Sequence, residues 1–181
     1  VLPVGPTDPT DVVNDNITII AGVRGTVIDE AGRPVSGALV TCGVQTQSTD
    51  RYGTFSFKNI SLSKVNGSVK VVKPGYFTHY RSFPSTAGRM HQVRVQLLPK
   101  TNSGSFDAAS GGTVNLANGA KLVMPANAVA DVSGNAYTGQ VQVAMTWIDP
   151  RSEVSTFWYN MHENAGDEDI LLVISIQDLS M

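Results

Sequence analysis

The chain has 181 residues, of which 41% are hydrophobic and only 15% charged, with a formal net charge of −2. That composition suits a lightly charged globular protein of one large or two small domains, and the lack of an overall basic excess argues against nucleic-acid binding. The one cysteine, Cys42, can close no intrachain disulfide, and no Cys/His set is available for structural zinc.

Residues 1–16 hold three prolines and three aspartates without periodicity and read as a flexible leader. The chain opens on Val1 rather than Met, so an upstream segment such as a signal peptide is expected to have been removed. A lipid tether upstream of Val1 fits the same expectation. No run reaches the roughly 18 apolar residues of a membrane span.

Strand patterning starts at Ile17. In ITIIAGVRGTVID, Val23 and Val27 face one way and Arg24, Thr26 and Ile28 the other. Residues 29–34 (DEAGRP) are turn chemistry, and residues 38–44 read as a second strand with Ala38, Val40, Cys42 and Val44 on one face. A buried, inert thiol is the simplest role for Cys42. Asp50-Arg51-Tyr52-Gly53 predicts a turn in which Asp50 caps the backbone and Gly53 takes a positive φ. It leads into Phe55 and Phe57, the first choices as core anchors. Asn66-Gly67 predicts a hairpin, Pro74-Gly75-Tyr76 a break, and residues 91–97 a strand with Val93, Val95 and Leu97 inward.

Residues 100–112 (KTNSGSFDAASGG) are polar and rich in Gly and Ser, and read as a linker. Strands resume at Thr113. Asn118-Gly119 predicts another hairpin, Asp131 to Asn135 another turn, and residues 140–148 a strand with Val141, Val143, Met145 and Trp147 in phase. Asp149-Pro150 ends it. A loop with Trp158 and Tyr159 and the acidic Asp167-Glu168-Asp169 precede the apolar residues 170–176. The expected architecture is all-β: two β-sandwich-type domains at 17–99 and 113–181, the first seven-stranded and antiparallel, the second small and truncated.

Several of these elements also form a family pattern. Gly25-Thr26-Val27 with Asp29, Gly32-Arg33-Pro34-Val35, Gly37-Ala38, Asp50…Gly53…Phe55 and Pro74-Gly75-Tyr76 together resemble the carboxypeptidase regulatory-like domain. That resemblance implies a transthyretin-like sandwich for residues 22–99, and it implies fold far more than activity. Gly111-Gly112, Met124-Pro125-Ala126, Asp131…Gly134 and Tyr137…Gly139-Gln140-Val141 are similar to ZU5-type segments and to the β-rich module that follows such domains in Bacteroidetes surface proteins.

Catalytic chemistry finds little support. His79, His91 and His162 fall in neither H-x-x-E nor H-E-x-x-H, so a zinc peptidase lacks its ligands. No G-x-S-x-G elbow, phosphate loop or dinucleotide fingerprint occurs. Asp149, Glu153, Asp167, Glu168 and Asp169 all lie near turns, where solvation explains them better than a glycosidase pair. Asp167 to Asp169 lack the spacing of a Ca²⁺ loop. No cofactor or metal site is expected.

The candidate ligand-binding residues are Trp158, Tyr159 and Trp147, an aromatic set able to stack on sugar rings. A core position for Trp147 is the simpler reading, given its phase. The expectation is a non-catalytic cell-envelope or secreted bacterial module, a spacer or adhesion-like scaffold with a protein or glycan partner. The alternative is a pair of accessory domains of a larger enzyme or carbohydrate-processing system.

Overall fold

The computed structural model describes residues 17–117, 119–131 and 133–148, and the backbone of a strand at 171–178. Among these residues the protein is all-β. The first seven strands are β1 (Thr18–Ile28), β2 (Leu39–Cys42), β3 (Gln45–Ser48), β4 (Thr54–Ser63), β5 (Asn66–Val72), β6 (His79–Pro84) and β7 (Met90–Gln96). They form a three-stranded sheet of order β4-β1-β7 and a four-stranded sheet of order β3-β2-β5-β6. The inward side chains of the two sheets share one core, including Val23, Val27, Val40, Phe55, Phe57, Val69, Val71, Val93 and Val95. Burying each side chain of this size stabilises the fold by roughly 1.5–3 kcal/mol.

Strand β4 shows how local sequence sets this packing. Phe55 and Phe57 face inward with ring centroids 5.9 Å apart, and Ile60 and Leu62 are also buried. An unbroken period of two would turn Ile60 and Leu62 outward. The register against β1 slips between Ala21 and Val23, and Asn59 sits there with φ of 52°. Asparagine tolerates the left-handed region, and the extra residue of this bulge restores the apolar phase.

Several sequence expectations need correction. The pairing is not wholly antiparallel: β1 and β7 run parallel, because the chain reaches β7 from the opposite sheet. The second strand stops at Cys42. Gly43 and Val44 form a two-residue turn into β3, with Cys42 opposite Gln45. Gly43 alone has positive φ there, as a Gly-X hairpin turn requires. Val44 is consequently 100% exposed at the tip. Asn66-Gly67 makes no hairpin, since it opens β5, and β4 and β5 belong to different sheets.

The remaining strands are β8 (Asn102–Asp107), β9 (Gly112–Asn115), β10 (Lys121–Met124), β11 (Gln140–Ile148) and β12 (Leu171–Asp178). They form a sheet of order β12-β11-β8 and an antiparallel β9-β10 ribbon. A second core gathers Phe106, Ala108, Val114, Val141, Val143 and Met145, with Leu116, Leu122, Met124, Val129 and Tyr137 at its margin. Residues 100–112 therefore do not run as a bare linker: β8 lies within them, pairs with β11 and contributes Phe106. The Leu116 to Ala120 turn joins β9 and β10 as expected from Asn118-Gly119, with Leu116 N–H donating to the Ala120 carbonyl at 2.7 Å.

Candidate functional site

The best-organised acidic residues serve turns. Asp29, Asp50 and Asp131 each begin a D-x-x-G-x turn. In each, one carboxylate oxygen accepts from the backbone N–H two and four residues on, at 2.8–2.9 Å. The glycine N–H returns to the aspartate carbonyl at 2.9–3.0 Å. The glycines take φ of 75°, 70° and 84°, where a Cβ would be strained. The second carboxylate oxygen is held by the fifth residue: Arg33 Nε at 2.8 Å, Thr54 Oγ1 at 2.7 Å and Asn135 Nδ2 at 3.1 Å.

These bonds favour the ionised carboxylate. Bonds from Thr54 hold Asp50 below the usual carboxylate range, and bonds from Asn135 do the same for Asp131. For Asp29, partial desolvation pushes upward, but the bonds and charge of Arg33 outweigh it. An acid held ionised and bonded on both oxygens is poorly placed to donate or accept a catalytic proton.

The histidines do not converge. His79 lies on β6, fully buried, while His91 lies on β7 in the other sheet. His91 Nε2 faces the Thr86 N–H at 3.0 Å, and its ring stands 5.3 Å from Phe83. Burial first, and Arg81 second, lowers the His79 pKa to about 4. No group of three or more metal-ligating side chains occurs among the described residues. Cys42 is buried, with its thiol pushed up to about 11 by desolvation and its Sγ donating to the Ser68 carbonyl at 3.3 Å.

Of the aromatic set, Trp158 and Tyr159 lie outside the described residues, as do His162, Asp149, Glu153 and Asp167 to Asp169. Trp147 is described, and it is not core: it is 39% exposed while Val141, Val143 and Met145 are buried. Strand β8 pairs with β11 only as far as Ala144, so Trp147 extends past that neighbour.

One concave feature among the described residues is an open cleft of about 500 Å³ where the first sandwich meets β8 and β11. Lys73, Tyr76, Thr78, Lys100, Asn102 and Gln142 are among the residues that line it. The backbone fixes this junction. Phe77 N–H donates to the Leu98 carbonyl at 2.9 Å, and Lys100 N–H to the Gly75 carbonyl at 2.8 Å. Asn102 pairs with Ala144, which brings β11 to the cleft wall. Both lysines are half-buried. Lys73 Nζ reaches the neutral Gly37 carbonyl at 3.4 Å, and no carboxylate lines the cleft among the described residues. Trp147 is not among the lining residues.

Sequence reasoning missed these two lysines, and the signal that finds them is charge taken by region. Residues 17–100 hold eleven of the chain's 13 Lys and Arg but only three of its 15 Asp and Glu (Asp29, Glu30 and Asp50). A net charge of −2 thus conceals a first sandwich with an excess of eight positive charges.

No family model matches the chain, and no curated protein matches it. It is similar to several solved structures. One is a proposed membrane-associated protein of unknown function from Bacteroides fragilis, with 18% identity and a TM-score of 0.36 over 45% of this chain and 28% of that one. Another is 3-chlorocatechol 1,2-dioxygenase from Rhodococcus opacus, with 10% identity and a TM-score of 0.36 over 48% and 62%. A third is a proposed carbohydrate-binding protein from Bacteroides uniformis, with 12% identity and a TM-score of 0.34 over 69% and 50%. The chain spans less than two thirds of each of these proteins.

Proposed function

We propose that the chain is a non-catalytic module of a bacterial envelope or secreted protein, a β-sandwich scaffold that spaces or presents a binding surface. The observation that carries this reading is the use of the ionisable groups. Asp29, Asp50 and Asp131 are engaged on both carboxylate oxygens within turns, Cys42 is buried with a raised pKa, and the two described histidines sit in separate sheets. Among the described residues, the groups gathered around the cleft are lysines, amides and hydroxyls, which bind rather than transform.

A carboxypeptidase regulatory-like assignment for the first sandwich belongs to the same proposal. It is supported by seven strands in a three-plus-four arrangement, and by the placing of Asp29, Gly32, Asp50, Gly53 and Gly75 at turns. The ZU5-like reading of the second part rests on its sequence elements alone.

Labelling intact cells that make the whole protein tests the reading. A membrane-impermeant amine reagent is expected to modify the lysines of the first sandwich on unbroken cells. Labelling only after lysis would overturn the envelope assignment.

A further inference from the structure

We infer that the cleft between the first sandwich and β11 is a binding site for an acidic sugar, with Lys73 and Lys100 taking the carboxylate of a uronate residue. This deepens the reading of the chain as a binding module and rests on it. The argument begins with charge. Both lysines are half-buried, and the described residues of the cleft lining include no carboxylate. Two like charges partly removed from water on one cleft both gain from a nearby anion, and a cleft focuses their field. The first sandwich, which supplies Lys73 and Lys100, carries the eight-charge excess.

Shape and lining select the class of anion. The volume of about 500 Å³ falls within the range of sites for small ligands, and it exceeds what a lone inorganic ion needs. Thr78, Asn102 and Gln142 supply hydroxyl and amide groups of the kind that pair with sugar hydroxyls. Tyr76, half-buried at the wall and packed against the first core, gives the lining a fixed apolar component. The described lining contains no arginine, the residue favoured for bidentate phosphate recognition. Backbone bonds from Phe77 to Leu98 and from Lys100 to Gly75 hold the segments that carry Tyr76 and Lys100 together, which limits the backbone ordering that binding requires.

Calorimetric titration of the whole chain at low salt tests this. The probes are a galacturonic acid trimer, the neutral galactose trimer, inorganic phosphate and a short oligothymidylate. The uronate trimer is expected to bind at least about tenfold more tightly than the neutral trimer and to weaken as salt rises. Lys73→Gln and Lys100→Gln are each expected to weaken it by about fivefold or more. Arg24→Gln, on the outer face of β1, is expected to leave it unchanged. Unaltered thermal unfolding of the variants would show that the fold is intact.

Equal binding of both trimers, retained binding in both lysine variants, or tighter binding of phosphate or the oligonucleotide would each overturn the assignment. Absence of binding by every probe would overturn it too, while surface labelling on intact cells would still stand as a separate test of the module reading.

Discussion

Gly67 lies against the ring of Phe83: a Cβ at position 67 would come within 2.5 Å of the ring carbon Cε2 and 3.3 Å of Leu62 Cδ1. Phe83 is itself buried and has little room to retreat. Gly67→Ala is therefore expected to destabilise the first sandwich by about 1–3 kcal/mol through overpacking, while the exposed Asn66→Ala changes stability by less than about 0.5 kcal/mol. Urea unfolding followed by tryptophan-independent circular dichroism separates the two. Equal effects would restore Asn66-Gly67 as a turn.

The three D-x-x-G-x turns lend themselves to paired substitutions. Asp50→Ala removes both the backbone cap and the Thr54 hydroxyl bond, whereas Thr54→Val removes only the bond to the second oxygen. Asp50→Ala is expected to lower Tm more than Thr54→Val, and Asp131→Ala to lower it in the same direction. Thermal melts of the three variants at neutral pH provide the comparison.

Acid is expected to destabilise the fold in two stages. His79 has its pKa lowered from 6.5 to about 4 by burial and Arg81. The unfolded chain thus binds a proton there that the folded chain refuses. Stability is complete above about pH 6.5 and falls toward pH 4, by a total of roughly 3 kcal/mol. The aspartates act lower, because their carboxylates are depressed below 3.8 in the fold. Their contribution is present above that value and disappears as the pH falls through the depressed one. A stability-versus-pH curve for His79→Leu should lose the upper stage and keep the lower.

Cys42 is expected to resist thiol reagents at pH 8 in the folded protein, since burial pushes its pKa to about 11 and the thiolate is the reactive form. Reaction is expected to track unfolding when denaturant is added. Rapid modification under native conditions would show that the strand face carrying Ala38, Val40 and Cys42 opens readily.

Much of the first sandwich could be read from sequence because its strands alternate cleanly and its turns carry Asp and Gly where the backbone needs them. Phe55, Phe57, Val93, Val95 and the Asp50 turn all fall where the pattern places them. The misreadings have physical causes. Strand β3 (Gln-Thr-Gln-Ser) is polar and exposed throughout, so it has no apolar alternation to detect. Strand β8 looks like a linker because its packing relies on closeness to its neighbour: a Cβ on Gly104 would come 2.9 Å from Val114. Trp147 keeps the phase of its strand but runs past the neighbour that would have covered it. The candidate cleft was least legible. Lys73 and Lys100 are 27 positions apart in sequence, and the bridge between Tyr76 and Pro99, with its Phe77 to Leu98 and Lys100 to Gly75 backbone bonds, places their segments side by side.

The most direct test of binding without chemistry follows a long uronate polysaccharide mixed with the intact protein. Light scattering on a sizing column and a reducing-end assay are read over prolonged incubation, with and without added Ca²⁺ or Zn²⁺. The expected result is co-elution of protein with a polymer whose size and reducing-end count stay constant. Shortening of the polymer in proportion to protein concentration would contradict the account.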